Sequence, residues 1–111
     1  MEDTAVYMIV MLDVDDMDAF FADYVAPLKS HNQKYGVETL VGTPAPEVLE
    51  GTYSKSLTVV LKFKSAAVQR SWYTDPAYQP LLKRRFELTN TETSLALVAP
   101  EFQPARIGAA E

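Results

Sequence analysis

The chain has 111 residues, of which 48% are hydrophobic, and it carries a net charge of −5 and no cysteine. This length fits a single domain that can bury a core. The negative charge argues against nucleic acid or an anionic membrane as the main partner, and the lack of cysteine excludes disulfides and a cysteine nucleophile.

The first predicted element is a strand from Ala5 to Asp13, in which nearly every side chain is apolar. Continuous apolarity that includes Val, Ile and Tyr indicates a strand buried on both faces. The run is too short to span a bilayer, and Glu2 and Asp3 before it do not resemble the basic start of a secretory signal. We therefore expect a cytoplasmic protein that does not enter a membrane.

A helix is predicted to begin at Asp15 and Asp16, because acidic side chains cap the free N–H groups of a helix start. Apolar residues then recur with helical spacing, at Met17, Phe20, Phe21, Tyr24, Val25 and Leu28. Pro27 removes one helical hydrogen bond, so a kink or break is expected near it. The helix continues to Tyr35, and Gly36 is a natural stop.

Two further strands are predicted at Val37 to Thr43 and Leu57 to Phe63. The segment between them, Pro44 to Ser56, is polar and is interrupted by proline and glycine, which indicates a long loop. Loops of this length in compact domains are often functional.

A second helix is expected after Ser65, whose hydroxyl suits a helix N-cap, and it carries Trp72 and Tyr73. Asp75 and Pro76 are expected to restart this helix, with the aspartate as the cap and the proline at the first helical position. The restarted part gains its apolar side from Tyr78, Leu81, Leu82 and Phe86.

The last elements are a strand from Ser94 to Ala99 and an extended tail from Pro100 to Glu111, with mobile final residues. The order βαββαβ predicts a ferredoxin-like α+β sandwich with its core at residues 5–99, a four-stranded antiparallel sheet and two helices on one face. Both sides of the predicted strands are apolar, so one sheet face stays uncovered. We therefore predict a homodimer that joins the open sheet faces across a two-fold axis.

Three segments carry a resemblance to a known family: Glu47 to Gly51 (EVLEG), Leu57 to Phe63 (LTVVLKF) and Ser71 to Arg85 (SWYTDPAYQPLLKRR). Over residues 5–99 the chain resembles the domain-of-unknown-function family numbered 1330, and the Trp-Tyr-x-Asp-Pro-x-Tyr stretch is the most specific part. The chain departs from the family's frequent Gly-Gly after the first helix, because Tyr35 stands where the first glycine falls.

The resemblance implies a dimeric α+β barrel, in which two ferredoxin-like sheets pack face to face. Its wider superfamily includes cofactor-free monooxygenases, lactone isomerases and small-molecule-binding modules, while the family itself has no general assigned activity. We therefore expect a small-molecule-binding protein of unknown activity. The alternative is a cofactor-free, monooxygenase- or isomerase-like enzyme that acts on a small organic acid or aromatic compound.

Two residues are weak catalytic candidates. His31 is the only histidine, and histidine is a residue type that often acts as a general acid or base. It is either a general base or ligand contact at a pocket rim, or a partly buried histidine that suits the helix dipole. Glu50 lies in the long loop, where it either faces a cleft or remains a solvated loop charge.

Further candidates for ligand contact are Tyr35, Tyr73, Tyr78 and Arg85. Aromatic residues at helical spacing usually belong to the core, although a ligand can satisfy a buried tyrosine hydroxyl. Arg85 either binds a carboxylate through two parallel hydrogen bonds or pairs with an acidic side chain. We place the pocket between the sheet and the helices, with the loop from Pro44 to Ser56 as its lid and His31, Tyr35 and Glu50 within reach.

No metal or cofactor is expected. One histidine, no cysteine and no two-histidine-one-carboxylate spacing make a poor ligand set. The aspartates at positions 13, 15, 16 and 18 lack the glycine and the distal glutamate of an EF-hand loop. The sequence also has no glycine-rich phosphate loop or dinucleotide fingerprint.

Overall fold

A four-stranded sheet and one layer of helices make up residues 4–103, the part of the chain that the computed structural model describes. In chain order the elements are β1 (Val6–Leu12), α1 (Met17–Phe20), a π-helical segment (Phe21–Val25), α2 (Ala26–Tyr35), β2 (Glu38–Thr43), β3 (Leu57–Phe63), α3 (Ala66–Thr74), α4 (Gln79–Leu88) and β4 (Leu95–Pro100). The predicted strands agree with these bounds to within one residue at each end.

The strands lie in the order β2-β3-β1-β4, and every neighbouring pair is antiparallel. The most apolar strand, β1, is central and pairs with β3 and β4; Met8, for example, lies opposite Leu61 on one side and Val98 on the other. This is the strand order of the ferredoxin-like fold, so the predicted α+β class is confirmed. No helix within residues 4–103 has the length and apolarity needed to cross a membrane.

The core lies between the helices and one face of the sheet. Alternate residues of β1 are buried, whereas those between them are only half-buried. The largest fully buried side chains are those of Trp72, Tyr78, Phe20, Phe63 and Met8. The expectation that β1 is buried on both faces is therefore not met within one copy of the chain.

The first helix passes through Pro27 without a break, and the irregularity expected near this residue takes another form. Pro27 lies in the first turn of α2, and the irregularity comes earlier, in the π-helical segment. There the N–H of Ala26 donates to the carbonyl oxygen of Phe21, five residues back. This wider turn changes the hydrogen-bonding pattern of the backbone just before the proline. Pro27 then lies in a first helical turn, where its missing N–H is tolerated. The predicted stop is correct, since Gly36 takes a left-handed φ of 67°.

The expected helix restart at Asp75 and Pro76 is also wrong. After α3 ends at Thr74, residues 75–78 form a turn, and α4 begins only at Gln79. The Asp75 side chain accepts a hydrogen bond from the N–H of Ala77 at 2.8 Å, and its carbonyl accepts one from Tyr78 at 2.8 Å. Asp75 thus caps a turn, because one of its carboxylate oxygens and its carbonyl oxygen accept from residues two and three positions later.

The long loop at 44–56 is fastened at its end to the strand β1. The N–H of Ser56 donates to the carbonyl of Leu12 at 2.8 Å, and the Ser56 hydroxyl accepts from the N–H of Val14 at 3.1 Å. The middle of the loop projects outward, and Leu49 is 84% exposed. Of the predicted extended tail, residues 104–111 lie outside the described part of the chain.

Candidate ligand-binding cavity

A cavity of about 410 Å³ lies between the first helix and the helix-facing side of the sheet. Its floor is built by apolar side chains of β1 and β3, namely Met8, Val10, Leu12, Leu57, Val59 and Leu61. The alternation of these strands places all six on the same side of the sheet. A mostly apolar space of this size matches the pockets that hold small molecules.

The π-helical segment forms one wall of the cavity, through Phe21, Tyr24 and Val25. Single π turns inside helices widen the backbone and often occur at functional sites. An ion pair holds this segment against α4, because Nε and Nη2 of Arg84 donate to the same oxygen of Asp23 at 2.9 Å and 2.7 Å. The wall is thereby fixed to α4, the helix that also supplies Arg85 to the cavity.

The mouth of the cavity lies between α2 and the edge strand β2. The lining residues that are also exposed mark this opening: Phe21, Ala26, Lys29, Thr39 and Gly42. A Cβ atom added at Gly42 would have no other atom within 4 Å. The glycine therefore leaves free space at the mouth.

Two charged residues line the cavity: Lys29 is exposed at its mouth, whereas Arg85 lies inside and is only 4% exposed. Its guanidinium carbon lies 5.9 Å from the ring centre of Tyr24 and 5.5 Å from that of Phe86. Within residues 4–103, no carboxylate lies within ion-pair distance of it, whereas its neighbour Arg84 is paired with both Asp23 and Glu87. The ion-pair interpretation of Arg85 thus finds no partner in the described chain.

Two tyrosine hydroxyls stand beside this arginine. The Tyr24 and Tyr78 hydroxyl oxygens are 2.7 Å apart, and both residues are buried. Burial raises the pKa of Tyr24 above its usual value, although the positive charge of Arg85 opposes the shift. Burial also raises the pKa of Tyr78. Both hydroxyls therefore keep their protons at neutral pH and are hydrogen-bond donors.

His31 does not line the cavity. It is buried, its Nε2 is 2.9 Å from the carbonyl oxygen of Trp72, and its ring stacks on Tyr78 at 5.3 Å with an angle of 10°. The next residue, Asn32, does line the cavity, and its side-chain oxygen accepts a hydrogen bond from the Trp72 indole at 2.8 Å. The structure thus gives His31 a place in the aromatic core behind the cavity wall.

Tyr35 and Glu50 also lie away from the cavity. The Tyr35 hydroxyl donates to Asp75 at 2.6 Å, and Lys34 binds the same carboxylate oxygen at 2.8 Å. Glu50 is exposed, and no residue of the loop at 44–56 contributes to the lining. The structure therefore does not bring the expected lid and these two side chains to the cavity.

Tyr73 lines a second, smaller cavity of about 170 Å³ on the other side of Arg85, near the start of β4. Of the six candidate residues, only Arg85 lines the main cavity. Tyr78 does not line it, but its hydroxyl is hydrogen-bonded to that of Tyr24, which does. Sequence reasoning missed Tyr24 and Asn32 as site residues. Tyr24 looked like one more apolar position of the first helix, and no sequence signal separates it from the core.

Comparisons with known proteins show similarity in fold. A family model described as "Domain of unknown function (DUF1330)" matches residues 5–99, while no curated protein matches the chain. A solved structure of the RPA0582 protein of unknown function from Rhodopseudomonas palustris is 14% identical, with a TM-score of 0.74 over 92% of this chain and 85% of that one. A structure of the methylated RPA0582 protein, also 14% identical, gives a TM-score of 0.75 over 92% and 84%.

Proposed function

The chain belongs to the DUF1330 family of domains of unknown function, and from that premise we propose that it binds a small, largely apolar molecule in the cavity beneath the first helix. The observation that carries this proposal is the apolar cavity of about 410 Å³ with its mouth between α2 and β2. Protein interiors are normally packed to the density of organic crystals, with few voids larger than a water molecule. A ligand in this space restores the missing contacts.

Binding is better supported than catalysis by an acid–base group. Within the described chain, no histidine, aspartate or glutamate lines the cavity. The two weak catalytic candidates from the sequence, His31 and Glu50, lie in the aromatic core and in the exposed loop. A buried tyrosine that keeps its proton is a poor general base. The cofactor-free enzyme therefore remains the second choice.

A homodimer is part of the same proposal. On the face of the sheet away from the helices, Ile9 lies between Val60 and Leu97, and Met11 lies opposite Leu95. Leu95 and Leu97 are 49% and 46% exposed. A second copy of the chain covers such a face with the same face of its own sheet, as a two-fold interface requires. Cytoplasmic residence stays a prediction from the sequence.

The cavity is tested by closing its mouth. Gly42→Leu adds a side chain that points into free space, so it fills the opening with little effect on the fold. Thr52→Leu adds the same group to the exposed loop and serves as the matched control. The neutral fluorescent probe N-phenyl-1-naphthylamine is titrated into each protein.

We expect the probe to bind the parent and Thr52→Leu alike, and Gly42→Leu at least about tenfold more weakly, since that ratio needs a loss of only about 1.4 kcal/mol. Equal binding by all three proteins would place the probe elsewhere and contradict the proposal. So would a parent protein that does not bind the probe.

A further inference from the structure

Arg85 is an unusual residue for the interior of this chain. Within residues 4–103 it is the only lysine, arginine, aspartate or glutamate that is buried. Burying a charge is costly unless an opposite charge or several hydrogen bonds compensate it. Its guanidinium has no ion pair with any described residue, and it lies close enough to the Tyr24 hydroxyl to lower the pKa of that group. The folded chain therefore carries a positive charge inside it that calls for a negative partner.

The guanidinium faces open space. Every side-chain nitrogen and oxygen atom that is fully enclosed in the described chain has a hydrogen-bond partner. Arg85 lines both cavities, and no carboxylate of the described chain takes up its N–H donors. A ligand in the main cavity can reach this charge without any movement of the backbone.

The groups around Arg85 hold more donors than acceptors. The Tyr24 and Tyr78 hydroxyls carry two protons, and the hydrogen bond between them uses one. In the described chain no other acceptor binds either hydroxyl, so one proton is left to donate, and it is on Tyr24 when Tyr78 is the donor of the pair. Arg85 adds five N–H donors and no acceptor. Tyr24 lines the cavity itself, so its hydroxyl and the guanidinium can donate to the same ligand group.

The shape and charge of this end of the cavity favour a carboxylate. A guanidinium presents two parallel N–H groups that match the two oxygens of a carboxylate. One buried cation balances one negative charge, whereas a doubly charged phosphate would leave excess charge against apolar walls. Apart from Asn32 and the exposed Lys29 and Thr39 at the mouth, the rest of the lining is apolar and partly aromatic, with Phe20, Phe21 and Trp72 among its members.

From these observations we propose that the ligand is an apolar monocarboxylate, whose carboxylate is bound by Arg85 and Tyr24 and whose hydrocarbon body fills the cavity. This inference rests on the proposed function, because it assigns a ligand class to the same cavity. It adds a requirement for negative charge that simple apolar binding does not have.

The test compares octanoate with 1-octanol, which has the same number of carbon atoms and no charge, by isothermal titration calorimetry. The parent should bind octanoate at least about tenfold more tightly than octanol, the ratio that corresponds to about 1.4 kcal/mol. Arg85→Met should abolish this preference and retain octanol binding. Tyr24→Phe should weaken octanoate several-fold with little effect on octanol.

Arg70→Met is the matched control, because this arginine is exposed on α3 and lines neither cavity. It should bind octanoate like the parent. Arg85→Met should fold and melt at the parent's temperature or above it, since it replaces a buried unpaired charge by an apolar side chain.

The inference is overturned if the parent binds octanoate and octanol equally, or if Arg85→Met keeps the preference for octanoate. In both cases the proposed function still stands if Gly42→Leu weakens the binding of these compounds. Should neither compound bind the parent, the inference fails, and the neutral probe decides whether the proposed function fails with it. A lower melting temperature of ligand-free Arg85→Met would assign Arg85 a structural role and also count against the inference.

Discussion

At the scale of single residues, an aromatic cluster lies behind the cavity wall and includes the only histidine. The Trp72 and Tyr78 rings are 4.4 Å apart, and His31 contacts both, at 5.5 Å and 5.3 Å between ring centres. The hydrogen bond of His31 to the Trp72 carbonyl joins α2 to α3. These contacts account for the histidine through packing and one buried hydrogen bond.

His31→Asn is therefore expected to lower stability and to leave ligand binding intact. The shorter amide loses the ring stacking and strains or breaks the bond to Trp72, which costs roughly 1–3 kcal/mol for a buried polar group. Urea denaturation should show the loss, while N-phenyl-1-naphthylamine should bind within about twofold of the parent. A variant that is fully stable yet no longer binds the probe would instead put His31 in the site.

At the scale of elements, the end of α2 is joined to the turn before α4 by one carboxylate. Asp75 accepts from Lys34 at 2.8 Å, from Tyr35 at 2.6 Å and from the N–H of Ala77 at 2.8 Å. The hydrogen bonds from Lys34 and Tyr35 hold the pKa of the Asp75 carboxyl well below its usual range. The turn that replaces the expected helix restart thus also fastens α2 to the second helical region.

This carboxylate should make stability depend on acid pH. Its pKa is lower in the folded than in the unfolded chain, so its contribution is complete above the unfolded value of about 4 and is lost as the pH falls below it. Asp75→Asn should lower the melting temperature at pH 7 and reduce the further loss between about pH 5 and pH 2.

Glu47→Gln, at an exposed loop position, is the control for removing one negative charge. Thermal melts across this pH range should separate the two variants. If Asp75→Asn and the parent lose stability in parallel on acidification, the hydrogen bonds of Asp75 do not contribute in solution.

At the scale of the whole molecule, the two faces of the sheet have different roles. The helix-facing side supplies the core and the cavity floor, and the other side presents the apolar row of Ile9, Val60 and Leu97. The proposed homodimer buries the second side and leaves the cavity mouth, between α2 and β2, on the outer layer. Dimerisation and ligand binding can then be tested separately.

Leu97→Lys should convert the dimer to a monomer, because a two-fold interface brings two new lysines into an apolar contact. Gln33→Lys adds the same charge to an exposed position on α2 and should stay dimeric. Light scattering after size-exclusion chromatography at micromolar concentration gives the molar mass of both variants. The interface of the parent dimer should bury at least about 1,600 Å² in total. A monomeric parent would refute the dimer.

Local sequence patterns were sufficient for most of the fold and for little of the site. The position of β1, the cap at Ser65 and the stop at Gly36 all depend on residues close together in the sequence, and each was predicted and then observed. At Pro27 the helix does not break, because a π turn directly precedes the proline and places it in a first helical turn, where its missing N–H is tolerated. After Asp75 the helix begins later than predicted, behind a turn that one carboxylate oxygen caps, while the other oxygen binds partners some forty residues away.

By itself, then, the sequence determined the α+β order, the family and the apolar character of both sheet faces, since these depend on residue type and spacing along the chain. Only the tertiary structure decided that His31 belongs to the core, that Glu50 and its loop stand apart from the cavity, and that Arg85 enters it without an acidic partner in the described chain. Whether a buried charge is paired depends on which residues the fold brings within a few ångströms. That proximity is set by the packing of helices on the sheet and leaves no trace in local spacing.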